Sequence, residues 1–246
     1  MLNNKFWDGE MDYGWEDLSA FLVNTCSKFT RTLLIAVEDS QNPEIPKLIS
    51  TNCLDRFEDI TDVLSDIIKD ANYYTSEDLD DTRDGAQKLN SWILLGSLTE
   101  ATLQIYIALN IEYYKTIKWQ QWEEFKIEAV QTPIKECIQR LVEENAISPR
   151  QAKSLNTAIK DKIKEHTKEH DIQKITLDEL IRLYEHLQLF NEEEISYLKL
   201  IQSSRNGVHS FQRRRIGTWF DLQYSIRFFC YLLDWVILHL PDSPEE

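Results

Sequence analysis

Trp92-Ile93-Leu94-Leu95-Gly96-Ser97-Leu98-Thr99-Glu100-Ala101-Thr102-Leu103 is the stretch whose reading decides the fold class. Its apolar residues do not alternate with polar ones as in a half-buried strand, and helical spacing continues from Ala86 to about Tyr114. So apolar a helix belongs in the centre of a core, with other helices around it. Gly96, Ser97 and Ala101 are small enough to let a neighbouring helix come close. Glu100 is the oddity, because a carboxylate on an apolar helix must reach solvent or a cationic partner. Two readings stay open for it: a salt-bridged or snorkelling side chain, or a supporting group that orients the arginines near the C-terminal end.

Outward from this helix the same periodicity recurs. Trp15, Leu18, Phe21, Leu22, Phe29, Leu33 and Val37 mark a helix ending before Gln41, and Leu54 to Asp70 marks a second. The acidic run Ser76 to Gly85 reads as a loop, after which the long helix begins. Trp119, Trp122, Phe125, Ile127 and Val130 continue helical spacing to Pro133, which is read as a stop. Ser148-Pro149 starts a further helix, Thr176 with Glu179 and Asn191 with Glu194 have the spacing of capping boxes, and a last helix runs from about Thr218 to Leu240. With only 6 glycines and 6 prolines and no long alternating run, the expected class is all-α, a helical bundle.

At 246 residues the chain buries a core without covalent staples. Its 4 cysteines, Cys26, Cys53, Cys137 and Cys230, form no CxxC pair and are expected to be buried small hydrophobes in a reducing compartment. No basic and apolar leader is visible at the start, and the longest apolar run, Phe228 to Leu240, carries Asp234 and His239 and is too short to span a bilayer. The expectation is a cytoplasmic protein with no membrane association. The formal net charge is -15, concentrated in residues 1–100, where about 20 acidic side chains face about 8 basic ones. Between Arg205 and Arg227 the balance reverses, with five arginines against Asp221.

Three clusters carry chemical suggestions. Asp80, Thr82, Asp84 and Gly85 are in step with a calcium loop, but Ser91 stands where the bidentate glutamate belongs. His166-Thr167-Lys168-Glu169-His170 fits an H-x-x-E-H zinc pattern, yet charged residues surround it and little apolar anchors it, so it is read as a solvated helix end. Neither a metal nor a cofactor is expected. Ser204-Arg205-Asn206-Gly207-Val208-His209-Ser210-Phe211, followed by Arg213, Arg214 and Arg215, has better context. Arginine offers a permanent charge in a fork that matches phosphate oxygens, and histidine accepts and donates a proton near neutral pH. The pair suffices for metal-independent RNA cleavage: His209 takes the proton of a ribose 2′-OH, while Arg205 stabilises charge on the scissile phosphate. Arg213, Arg214 and Arg215 would bind RNA phosphates. The plain alternative is that Arg205 and Asn206 cap a helix, His209 bonds a carbonyl, and the triple arginine is solvated surface.

The order of a long core helix with a Gly-Ser-x-x-Glu-Ala pattern, capped short helices, Arg205-Asn206-Gly207-Val208-His209 and a final aromatic-rich helix resembles the HEPN superfamily. The resemblance covers about Lys88 to Leu240. It implies a HEPN-like bundle over 88–246, enlarged at about 120–174, with an acidic N-terminal helical region at 1–87. It also implies catalytic Arg205, Asn206 and His209 in an R-N-x-x-H variant, with an Arg-to-His spacing shorter than the family's usual one. Its functional implication is an endoribonuclease of a prokaryotic toxin-antitoxin or phage-defence system, acting as a homodimer on RNA and opposed by an antitoxin or another defence protein. The alternative it implies is a catalytically inactive helical module for dimerisation or protein interaction.

Overall fold

In α1 (Trp15–Glu38) Leu18, Leu22, Phe29 and Leu33 fall on one helical face and are fully buried, each burial stabilising the fold by about 2 kcal/mol. The computed structural model describes residues 14–71, 81–117, 127–166, 171–208 and 216–241, without the side chains of 81–84, 127–130, 164–166 and 208. Among these residues the elements are all helical. After α1 come α2 (Ile45–Leu48), α3 (Thr51–Lys69), α4 (Asp81–Leu109), α5 (Ile111–Thr116), α6 (Ile127–Glu143), α7 (Pro149–His166), α8 (Leu177–His186), α9 (Glu192–Arg205) and α10 (Trp219–Leu238). The protein is all-α, as its sequence indicates.

The chain divides into two compact units, 1–111 with 175–246 and 112–174. In the first, α4 is the axis: it packs against α3, α8, α9 and α10, while α1 packs against α3 and α10. Trp92, Leu95 and Leu98 are wholly buried there. Among the described residues one segment is long and apolar enough to cross a membrane, Gly85–Leu109 of α4, with 61% of its 18-residue apolar window buried within the protein; the run at Phe228 singled out in the sequence is not that segment. Aromatic rings tie the layers together, with Phe57 of α3 placed 5.6 Å from Phe29 and 6.3 Å from Phe229 between ring centres. Ser19 and Ser65 meet at 2.6 Å in the α1–α3 seam, which keeps these small polar groups bonded in a buried place.

The second unit contains the hairpin α6–α7. Asn145, at φ 55°, ends α6 in the left-handed region, and the amides of Ala146 and Ile147 return to the Leu141 carbonyl. Ser148 caps α7 by accepting from the Gln151 amide at 3.3 Å, and the Gln151 side chain accepts from the Ser148 amide at 2.8 Å.

Three expected boundaries differ. α4 starts at Asp81, inside the run read as a loop, because acidic residues in a first turn favour a helix N-terminus. The long helix ends at Leu109, where the Asn110 side chain bonds the Tyr106 carbonyl at 2.9 Å and competes with continuation of the backbone ladder. Pro133 lies within α6 instead of ending a helix. Of the cysteines, Cys26 and Cys230 are buried, whereas Cys53 is partly exposed and Cys137 exposed.

Candidate functional site

Arg205 is the last residue of α9, and its place follows from how that helix is held. Asn191 and Glu194 form the capping box that starts α9, and Ile195, Leu198 and Ile201 bury its inner face. At its C-terminal end Ser204 is buried and Arg205 reaches the middle of α4. There its Nη1 pairs with Oε2 of Glu100, the carboxylate that stands out on the apolar core helix.

The close approach depends on Gly96, one turn before Glu100. A Cβ on Gly96 would lie 2.6 Å from Arg205 Cδ and 3.0 Å from its Cβ, so the arginine stem occupies the space a side chain would need. Gly96 gives the stem its seat and Glu100 holds the head. The side chains of Arg205 and Glu100 keep 31% and 22% of their surface in solvent, so the pair is reachable. Asn206 caps α9, donating its amide to the carbonyls of Gln202 and Ser204.

Two hollows meet at this pair. One, of about 430 Å³, is bordered by Ile93, Asp178, Gln202 and Asn206 as well as Glu100 and Arg205. Its second acidic member, Asp178, is already engaged by Arg182 and by the Gln202 amide at 3.0 Å. The other, of about 580 Å³, runs past the start of α3 and includes Arg56, Asn52 and Cys53. Burial raises the Cys53 thiol above its ordinary range, and the nearby Arg56 partly offsets this.

His209, Arg213, Arg214 and Arg215 lie outside the described residues. The chain on either side of them is closely fixed. The Gly217 amide donates to Ser204 Oγ at 3.3 Å, and Trp92 Nε1 donates to the Gly217 carbonyl at 3.2 Å. A Cβ at Gly217 would stand 2.5 Å from Trp92 Cζ2, and one at Gly207 would stand 2.8 Å from Ile216 Cγ1. Thr218 and Asp221 then form a capping box that starts α10. Thus α4 holds both the arginine and the far end of the segment that carries His209.

The structure brings together Arg205, Asn206 and Glu100 among the sequence-derived candidates. Trp92 and Ser204 stand in stretches that the sequence singles out, but it gives them and Gly217 no role at the site, because those roles come from contacts between distant segments; the glycine just before a Thr cap is the sole local hint. Of the other clusters, Gly85 lies in α4, Asp80 and residues 167–170 lie outside the described residues, and His166 ends α7. Among the described residues no three His, Cys, Asp or Glu side chains are grouped to hold a metal ion. In comparisons with known proteins, no family model, no curated protein and no solved structure matches the chain.

Proposed function

We propose that this protein is a HEPN-like, metal-independent endoribonuclease of a prokaryotic toxin-antitoxin or phage-defence system, working in the cytoplasm as a homodimer. Arg205 stabilises the charge that develops on the scissile phosphate, Asn206 is its polar companion, and His209 removes the 2′-OH proton. Arg213, Arg214 and Arg215 bind flanking phosphates, and a partner protein of antitoxin type restrains the activity. Single-stranded RNA is the favoured substrate because unstacked nucleotides enter a compact site.

The seating of Arg205 is the observation that supports this reading most. A guanidinium carries five N–H donors, and the pair with Glu100 leaves donors for a further anion at a solvent-reached position. Fixing the head before substrate arrives reduces the reorganisation needed when charge develops. The test is to incubate purified protein with labelled RNA in EDTA and compare wild type with Arg205→Ala and His209→Ala. Cleavage that persists in EDTA and is lost in both variants is the expected result. Equal cleavage by all three proteins, or none with any RNA, contradicts it.

One observation favours the second reading, a non-enzymatic interaction module. Glu100 already neutralises Arg205, so the pair accounts for itself as an internal tie between α4 and α9. Phe220 and Leu238, exposed at 64% and 81% near the two ends of α10, are then contact residues for a second chain. In that case neither substitution changes any RNA.

A further inference from the structure

The α6–α7 hairpin has a surface that RNA cleavage does not use. Of the described side chains on its two helices only Ile138 and Ala152 are buried, so most of their apolar residues stay within reach of solvent. Two helices do not enclose a core by themselves, and the groove along their seam is where a third helix packs. That groove is a hollow of about 470 Å³. Val142 and Ala152 give it an apolar lining, Asn156 adds an amide, and Lys153 and Lys160 border it. Both lysines are exposed and enter no ion pair among the described residues. Standing seven positions apart, they lie on one side of α7, about 10 Å from each other along its axis. The helix around them is basic: over 149–163 it carries Arg150, Lys153, Lys160 and Lys162 against Asp161, in a chain of net charge -15.

The occupant that fits is a helix with carboxylates seven residues apart and an apolar side chain between them. A nucleic acid would neutralise the lysines but leave Val142 and Ala152 without an apolar partner. The chain itself presents the fitting helix. Leu54, Phe57, Thr61, Leu64 and Ile68 turn one side of α3 into the core, and the other side shows Asp59, Asp62, Asp66 and Asp70, all exposed. Val63 stands among these carboxylates with 52% of its surface in solvent. Asp59 and Asp66 repeat the seven-residue spacing of the two lysines, with Val63 between them. Asp59 enters no ion pair among the described residues, and Asp66 has an exposed pair with Lys69 at 3.5 Å. We propose that the α6–α7 groove of one copy receives α3 of a second copy. Lys153 and Lys160 face Asp59 and Asp66 across the contact, and Val63 covers the apolar lining. Because the contact joins different surfaces of the two chains, its repetition closes a ring or extends a row of copies. It needs neither Arg205 nor His209 and is independent of the RNA-cleavage reading.

The experiment follows the mass of the full-length protein by sedimentation velocity across the micromolar range. Two charge-reversed proteins are compared with wild type: Lys153→Glu with Lys160→Glu alters the groove, and Asp59→Lys with Asp66→Lys alters α3. All four side chains are exposed, so the core is untouched, and circular dichroism checks that helicity is kept. Wild type should gain mass with concentration, and added salt should weaken the association. Each reversed protein alone should associate at least about tenfold more weakly, because like charges then oppose across the contact. An equimolar mixture of the two should recover the wild-type association, since every reversed face meets its complement and every native face meets a native one. The proposal is overturned if wild type stays monomeric at every concentration, or if reversing either face leaves association unchanged. It is equally overturned if the mixture of helical variants fails to recover, or if reversal of the groove weakens binding of single-stranded RNA and leaves association as it was.

Discussion

At the scale of residues, the site rests on Gly96 as much as on the charged groups. Replacing it by Ala puts a Cβ 2.6 Å from Arg205 Cδ and 3.0 Å from Arg205 Cβ, and the latter, at the base of the side chain, has little freedom to withdraw. Gly96→Ala should therefore lower stability by about 1–3 kcal/mol, despite the better helix propensity of Ala, and reduce RNA cleavage by displacing a guanidinium it does not touch chemically. Urea unfolding and a cleavage assay check this; unchanged values in both contradict the seating. Glu100 was legible in the sequence because a lone carboxylate in an apolar helix demands a partner. The arginines near the C-terminal end were one of two readings for that partner, but Arg205 was not singled out among them, since it is 105 residues away and only packing joins the two. Gly96 announced a close approach without saying what approaches.

At the scale of elements, α9 and α10 are joined through Glu194. One carboxylate oxygen accepts the Asn191 amide at 2.7 Å and closes the α9 cap, while the other accepts the Tyr231 hydroxyl at 2.8 Å. Burial, then the bond to Glu194, pushes the Tyr231 hydroxyl from an ordinary value of 10.0 to about 12. Because the folded state favours the neutral phenol, this contribution is whole below about pH 10 and is lost as pH rises through about 12. Tyr231→Phe should cost about 1–2 kcal/mol at neutral pH, with the gap from wild type closing between pH 10 and 12. Denaturant melts across that range test it, and a gap independent of pH contradicts it. Helix starts at Ser148, Thr176 and Asn191 could be read directly, since a cap acts within one turn. Pro133 misled because a proline also ends helices, and the Asp-rich run before α4 misled because acidic residues suit both loops and first turns.

At the scale of the molecule, the unit 112–174 interrupts a chain whose flanking parts form one unit. The return at Ile175 is held within that unit, because its carbonyl accepts from Gln104 Nε2 at 2.9 Å. Replacing 112–174 by a short Gly-Ser linker should leave a helical protein that unfolds cooperatively, seen by circular dichroism and thermal melting. A molten or insoluble product contradicts the independence of the first unit. The resemblance stated from the sequence implied an enlargement at about 120–174 and a separate N-terminal region at 1–87; the described residues of 1–87 fall in the same compact unit as 88–111. Composition revealed the acidic character of the N-terminal helices but not their packing on α4 and α10, since pairing between elements is set by tertiary shape.

Arg205 is proposed to act on phosphate rather than merely to tie α9 to α4, and chemical rescue separates the two most directly. Single-turnover RNA cleavage should fall by about a hundredfold or more in Arg205→Ala, as for loss of a group aimed at developing charge, and recover in part when free guanidinium is added. Wild type and His209→Ala should gain nothing from the additive. Full cleavage by Arg205→Ala, or a loss that guanidinium does not relieve in a variant with wild-type helicity, contradicts the account.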